Sequence, residues 1–381
     1  MTTTTTTITL AALQADRLLV TELDVESRDL LHTRAPATLG AGKPLAQERL
    51  DPSKFPVLTL PNEIVSLIFE HCAPIYPQTA DLALGIHAPV PLTHVCSKWR
   101  HIALSTSALW RTLSINLSYP FHTSTRRPPT AARVETWLAR APCQPLSIDI
   151  VDDFEDLPPE VYEAVISHRD RWEYFSLQIL ESPPDDIFNG TMPLLRRLSL
   201  ERDFRSINSI AFSDAPLLRE VTLSNVSPSS IQLPWSQLTQ LYLSSLFPEE
   251  GIQILSRTTN LVRCELYLVG NGIPDIPPEI QLPQLETLIV DCASPGLGRP
   301  TPGYLATCIV PALKYLQSPE GYFRAAHTSS IDVLSSFISR SGCKLQQLHL
   351  KDYHSLPPKI WLDYRTAFPS ITKISLNETF V

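Results

Sequence analysis

The chain has 381 residues, of which 43% are hydrophobic and 18% charged, with a formal net charge of −8. That balance suits a soluble globular protein with a sizeable core. It argues against a binder of phosphate backbones, which needs clustered Lys and Arg. The strongest basic run, Arg126 and Arg127, is followed by two prolines and reads as a solvated loop.

Proline is abundant at 35 and glycine scarce at 12, so short elements punctuated by proline are expected, and glycine-rich phosphate loops are not. No stretch of about 18 apolar residues occurs, so neither a membrane span nor a membrane partner is expected. Residues 1–7 form a threonine tract with no positive n-region and no long apolar core, which does not read as a signal peptide. In residues 8–34, Leu13, Leu18, Leu19, Leu23, Leu30 and Leu31 sit at roughly helical spacing, which predicts a short amphipathic helix or part of a coiled coil. Residues 35–53 (APATLGAGKPLAQERLDPS) read as a linker.

The segment 54–72, KFPVLTLPNEIVSLIFEHC, has helix-start chemistry. Pro61 suits the first turn, where its missing N–H costs nothing. Glu63 suits the positive end of the helix dipole. Ile64, Leu67, Ile68 and Cys72 recur at i, i+3, i+4 and i+8, one apolar face of a helix about three turns long. Residues 73–89 are a polar, proline-broken loop. In the next segment, VPLTHVCSKWRHIALSTSALW (90–110), Leu92, Val95, Cys96, Trp99, Ile102 and Ala103 trace an apolar helical stripe, with Cys96 and Trp99 in its middle and Lys98, Arg100 and His101 off it. Ser105 to Ser107 break the helix, and Leu109 and Trp110 give a second anchor. The segment therefore reads as a pair of short helices with a shared core.

From about residue 145 a different pattern repeats: RWEYFSLQI (171–179), MPLLRRLSL (192–200), APLLREVTL (215–223), WSQLTQLYL (235–243), TNLVRCEL (259–266), LPQLETLIV (282–290), VPALKYLQS (310–318), CKLQQLHL (343–350) and FPSITKISL (368–376). The segments share apolar residues at i, i+3 and i+5, anchored at Leu195, Leu218, Leu238, Leu261, Leu285, Leu313, Leu345 and Ile371. The spacing between anchors, roughly 20 to 30 residues, is that of leucine-rich repeats. Side chains alternate across a strand, so i+3 and i+5 point the same way from a short strand, and i packs where the chain enters it. Stretches such as VYEAVISHRD (161–170) and SSIDVLSSFISRS (329–341) have helical spacing for the convex side, whereas connectors such as SDA (213–215) are too short for a helix. Stacking about nine such units predicts a continuous core and an exposed parallel sheet.

The seven cysteines, Cys72, Cys96, Cys143, Cys264, Cys292, Cys308 and Cys343, contain no CxxC pair. They are expected to be buried free thiols in a reducing compartment. A single metal does not comfortably reach His94, Cys96 and His101 on one helix. Cys96 also lacks the cationic or basic neighbour that an activated thiolate needs, because Lys98 and Arg100 point elsewhere. Trp99 and Arg100 without a surrounding basic patch favour packing over nucleic-acid stacking. The acidic run Asp152, Asp153, Glu155 and Asp156 lacks the ligand spacing and turn glycine of a calcium loop. No GxSxG, HExxH or P-loop occurs. No catalytic, metal-binding or cofactor-binding residue is therefore expected.

LTLPNEIVSLIFEHC followed by LTHVCSKWRHIALSTSALW resembles the F-box, especially the F-box-like form abundant in mushroom-forming fungi. The matching positions are Phe55, Pro56, Val57, Leu58, Leu60, Pro61, Glu63, Ile64, Ile68 and Phe69, then Val95, Cys96, Trp99, Arg100, Ile102, Ala103, Leu104, Ser105, Thr106, Leu109 and Trp110. The resemblance implies a small three-helix module that docks on the Skp adaptor of SCF-type cullin–RING ubiquitin ligases. The positions matching the family's contact are Leu60, Pro61, Glu63, Ile64, Leu67, Ile68, Val95, Cys96 and Trp99, shared between interface and module core.

The expected organisation is α/β. Residues 1–54 form an N-terminal segment and 55–113 the F-box-like module. Residues 114–144 are a linker or first repeat, and 145–381 an irregular leucine-rich-repeat solenoid with a parallel sheet. The expected role is a non-catalytic, cytoplasmic or nuclear receptor that recruits a protein target, still to be identified, through its repeats. The alternatives are a repeat scaffold outside any cullin complex and a cysteine hydrolase using one of the thiols.

Overall fold

The computed structural model describes residues 59–78, 89–117, 128–153, 157–179, 187–202, 210–212, 214–226, 231–270, 279–292, 304–323, 328–352 and 359–378. The expected N-terminal helix, the 35–53 linker and much of the 73–89 loop lie outside these residues. The described chain is mixed α/β, with eight α-helices and an all-parallel sheet of eleven strands.

Three helices come first: α1 (Asn62–Cys72), the single turn α2 (Val90–Thr93) and α3 (Ser97–Ser105), followed by a 3-10 turn at Ser107–Trp110. Pro61 stands at the N-cap of α1, one residue ahead of its expected place in the first turn. The stripe expected through Cys96 is interrupted. Pro89 and Pro91 start a one-turn helix that stops at Thr93, and the chain is extended at Cys96 (φ −156°, ψ 171°) before α3 begins. Cys96 is therefore the N-cap of α3, and its Sγ accepts from the Trp99 N–H at 3.5 Å. Arg100 Nε spans the break by donating to the Thr93 carbonyl at 2.8 Å.

The sheet strands are β1 (Thr112–Asn116), β2 (Leu146–Asp152), β3 (Trp172–Ile179), β4 (Arg197–Arg202), β5 (Glu220–Ser224), β6 (Gln240–Leu246), β7 (Arg263–Leu268), β8 (Thr287–Cys292), β9 (Tyr315–Pro319), β10 (Gln347–Asp352) and β11 (Lys373–Glu378). Their order across the sheet is their order along the chain. Each of the nine segments quoted above runs into one of β3 to β11, and β1 and β2 precede them.

The register explains the spacing. The i+3 residues Leu198, Val221, Leu241, Cys264, Leu288, Leu316 and Leu348 are opposite one another in successive strands, and each is at most 2% exposed. The i anchors Leu195, Leu218, Leu238, Leu261, Leu285 and Leu313 are all fully buried at the strand entrances. Burying one leucine is worth about 2 kcal/mol, so repetition along the sheet supplies most of the driving force. Ser318 occupies an i+5 position and is fully buried there, its hydroxyl donating to the Pro319 carbonyl at 3.1 Å.

The return segments include α4 (Ala131–Ala139), α5 (Pro159–Ile166), α6 (Pro248–Leu255), α7 (Ser330–Ser341) and α8 (Lys359–Ala367). The two stretches expected to be helical yield α5 and α7. In α7, Ser329 Oγ accepts from the Ile331 N–H, and Gly342 closes the C-terminus at φ 63°, a conformation glycine adopts without strain. Two short parallel pairs, Ile210–Ala211 with Ile231–Gln232 and Ile280–Gln281 with Cys308–Ile309, form separate sheets.

Trp110 joins the helical module to the sheet. Its ring is 1% exposed and edge-on to Trp137 of α4 at 4.8 Å. Its Nε1 donates to the Ala103 carbonyl at 2.8 Å, while Trp137 Nε1 donates to the Thr112 carbonyl at 3.0 Å.

Candidate interaction surfaces

Two surfaces carry the functional candidates. The first is the outer face of α1. Val65 and Phe69 turn inward and are each 1% exposed. Phe69 meets the Trp99 ring edge-on at 5.0 Å, and Ile102, Ala103 and Leu109 complete the module's share of the core. The face read from the sequence, Ile64, Leu67 and Ile68, points outward instead, with exposures of 43%, 52% and 40%. Cys72 ends the same face and is exposed.

The other residues of the expected contact are dispersed. Glu63 and Pro61 are exposed at the α1 N-terminus. Leu60 packs partly against the core, and its carbonyl accepts from Lys98 Nζ at 3.0 Å. Val95 and Cys96 are half-buried in the α2–α3 junction. Trp99 is also half-buried, and its Nε1 is inaccessible to solvent without a hydrogen-bond partner. Ile64, Leu67 and Ile68 thus form one contiguous apolar patch, whereas Leu60 and Trp99 support it from within.

The second surface is the open face of the sheet. Alternation leaves polar and aromatic side chains there, among them Tyr174, Tyr242, Tyr267 and Tyr315, all half-exposed. Its first strands are covered by the chain that follows α1. Tyr76 lies edge-on to Tyr174 at 5.3 Å and donates to Glu173 Oε2 at 2.6 Å. Arg111 sits 3.9 Å from the Tyr76 ring centroid, and Ser147 Oγ donates to the Pro77 carbonyl at 2.6 Å. Burial, the Glu173 hydrogen bond and the Glu173 charge together drive the Tyr76 hydroxyl well above its ordinary pKa. The i+2 and i+4 side chains that make this face have no common residue type, so the sequence pattern did not mark them.

The cysteines divide by exposure. Cys264, Cys292, Cys308 and Cys343 are buried, Cys96 is partly buried, and Cys72 and Cys143 are exposed; the expectation of general burial is corrected for the last two. Burial pushes the Cys264, Cys292 and Cys343 thiols above their ordinary pKa, which disfavours the reactive thiolate. Iodoacetamide at neutral pH is expected to label Cys72 and Cys143 in the native protein, and to reach the four buried thiols only after denaturation, with peptide mass mapping as the readout. Rapid native labelling of Cys264 would contradict this arrangement.

Among the described residues, no three His, Cys, Asp or Glu side chains are grouped to hold a metal ion. No described helix is long and apolar enough to cross a membrane. No family model matches the chain, and no curated protein matches it.

Proposed function

We propose that the chain is the target-recruiting subunit of an SCF-type ubiquitin ligase. In this reading an F-box-like module at 55–113 docks on the Skp adaptor, and a leucine-rich-repeat solenoid presents a protein target. The carrying observation is the outer face of α1: Ile64, Leu67 and Ile68 at i, i+3 and i+4 lie outside the module's own core. Such a patch on a short, rigid helix suits a partner groove read by helical anchors. Catalysis comes from other subunits, and this chain contributes proximity by holding the target beside a charged conjugating enzyme.

Co-purification with the Skp adaptor tests the reading. Leu67→Asp combined with Ile68→Asp is expected to abolish capture while costing about 1 to 2 kcal/mol of unfolding stability, because both side chains are about half exposed and outside the module's core. Capture that survives this double substitution, or a wild-type chain that never binds the adaptor, refutes the mechanism.

A second reading has one observation in its favour. Trp110 and Trp137 press the module onto the first strand of the sheet, as a terminal cap does. A protein-binding scaffold capped in this way would fold normally and stay out of cullin complexes.

A further inference from the structure

The open face of the sheet has an uneven charge distribution. Two outward rows run across it, one from Ser114 on β1 to Glu265 on β7, the next from Asn116 on β1 to Asp291 on β8. They contain Asp149, Glu201, Glu265 and Asp291, and neither contains a lysine or an arginine. Two of these carboxylates are matched from elsewhere. Arg263 reaches Glu265 at 2.6 Å, and Lys351 pairs with Asp291. Asp149 accepts from Ser114 Oγ at 3.1 Å. Glu201 stands exposed on β4. The two rows are therefore net acidic.

Within them lies an aromatic pair. Tyr242 and Tyr267 are 5.2 Å apart between ring centroids, tilted 40°. Tyr242 is opposite Glu265 in the register, and Tyr267 is opposite Asp291. Burial, then the Glu265 and Glu201 charges, raise the Tyr242 hydroxyl above its ordinary pKa. Elsewhere on this face the aromatic rings already carry guanidinium groups: Arg111 over Tyr76 at 3.9 Å and Arg197 over Tyr174 at 5.4 Å. Among the described residues, no such cation lies over Tyr242 or Tyr267. The tyrosine faces attract an ammonium or guanidinium through the ring quadrupole, and the net negative field comes from Glu201 and Asp149, since Glu265 and Asp291 are already matched by Arg263 and Lys351.

We infer that the Tyr242–Tyr267 pair on the acidic strip receives an arginine- or lysine-bearing segment of the target protein. This rests on the proposal that the open face receives the target, and it does not depend on adaptor docking. A nucleic acid is the wrong partner for this strip, because its phosphates would meet carboxylates.

The test is fluorescence anisotropy on the full chain with a labelled peptide of alternating arginine and serine, and with its glutamate–serine counterpart. The arginine peptide is expected to bind with an affinity that falls as salt rises, and the glutamate peptide is not expected to bind. Tyr242→Ala with Tyr267→Ala is expected to weaken binding about tenfold, and Tyr242→Phe with Tyr267→Phe to preserve it, since the ring faces are kept. Glu201→Gln with Glu265→Gln is expected to weaken it comparably. The charge-matched substitutions Glu160→Gln with Glu163→Gln, on exposed positions of α5, are expected to leave it unchanged. Unaltered binding by the alanine pair, or equal losses from the two glutamine pairs, overturns the inference, and the phenylalanine pair shows that a loss in the alanine pair is not misfolding. Adaptor capture measured on the same preparations reads the docking proposal separately: its failure with intact peptide binding leaves this inference standing.

Discussion

Trp110→Ala is expected to destabilise the protein by about 4 kcal/mol, the cost of removing a large aromatic from a packed core. The side chain is 1% exposed, lies edge-on to Trp137, and has the Arg140 guanidinium 4.2 Å from its ring centroid. Three terms add. The ring's apolar surface returns to water, a cavity is left between α3 and α4, and the Ala103 carbonyl loses the N–H that satisfies it at 2.8 Å. Trp110→Phe separates these terms. It keeps most of the volume but orphans the carbonyl, so a loss of about 1 to 2 kcal/mol is expected. A double-mutant cycle with Trp137→Ala should show coupling of about 1 kcal/mol for the edge-to-face pair. Urea denaturation measures all of these. A Trp110→Ala cost below about 1 kcal/mol would mean that the module and the sheet do not share a core.

Trp110 also shows how far the sequence could be read. Strands β3 to β11 were legible because a strand with one buried face and a packed entrance buries i, i+3 and i+5, and with the exception of Ser318 these positions are apolar. Strand β1 obeys the same spacing through Trp110, Leu113 and Ile115, each at most 1% exposed. Its anchor is a tryptophan that also ends the helical module, so the sequence spacing there fits a helix end as well as a strand entrance. Strand β2 has Pro145 where its anchor would fall, and its entrance is filled by Leu146. Helix α6 is weakly marked in the sequence: Pro248, Glu249 and Glu250 are good first-turn residues, but its apolar run is only two turns long.

The outer face of α1 posed a different problem. Ile64, Val65, Leu67, Ile68, Phe69 and Cys72 make more than half of the helix apolar, so periodicity identifies a helix without choosing its inward side. Tertiary packing chose Val65 and Phe69, through the contact of Phe69 with Trp99. At Cys96 periodicity misled, because an apolar stripe can be counted across a break that Pro91 and an extended residue put into the chain. The tyrosines of the open face carry no periodic signature at all, and only the strand register brings Tyr242, Tyr267 and Glu265 together.

Lys351→Met is expected to cost about 3 kcal/mol, far more than loss of an exposed ion pair. Its partner Asp291 is 2% exposed on β8, whereas Lys351 projects from β10, opposite Pro319 of the intervening strand β9. The Asp291 carboxylate also accepts from the Cys292 N–H at 2.8 Å, but a hydrogen bond from a neutral donor does not replace a counter-charge in a buried site. Without the lysine the folded state must hold a buried carboxylate that has lost its cationic partner, while the unfolded state solvates it freely. The contrast with Lys314 and Glu286 makes the argument testable. That pair is closer to the surface, at 50% and 45% side-chain exposure, and Lys314→Met should change stability by less than about 1 kcal/mol. Combining Lys351→Met with Asp291→Leu should recover most of the loss, since an apolar pair of similar volume removes the stranded charge together with its partner. Equal urea midpoints for Lys351→Met and Lys314→Met would show that Asp291 reaches solvent. The pair then could not act as a buried link across β9.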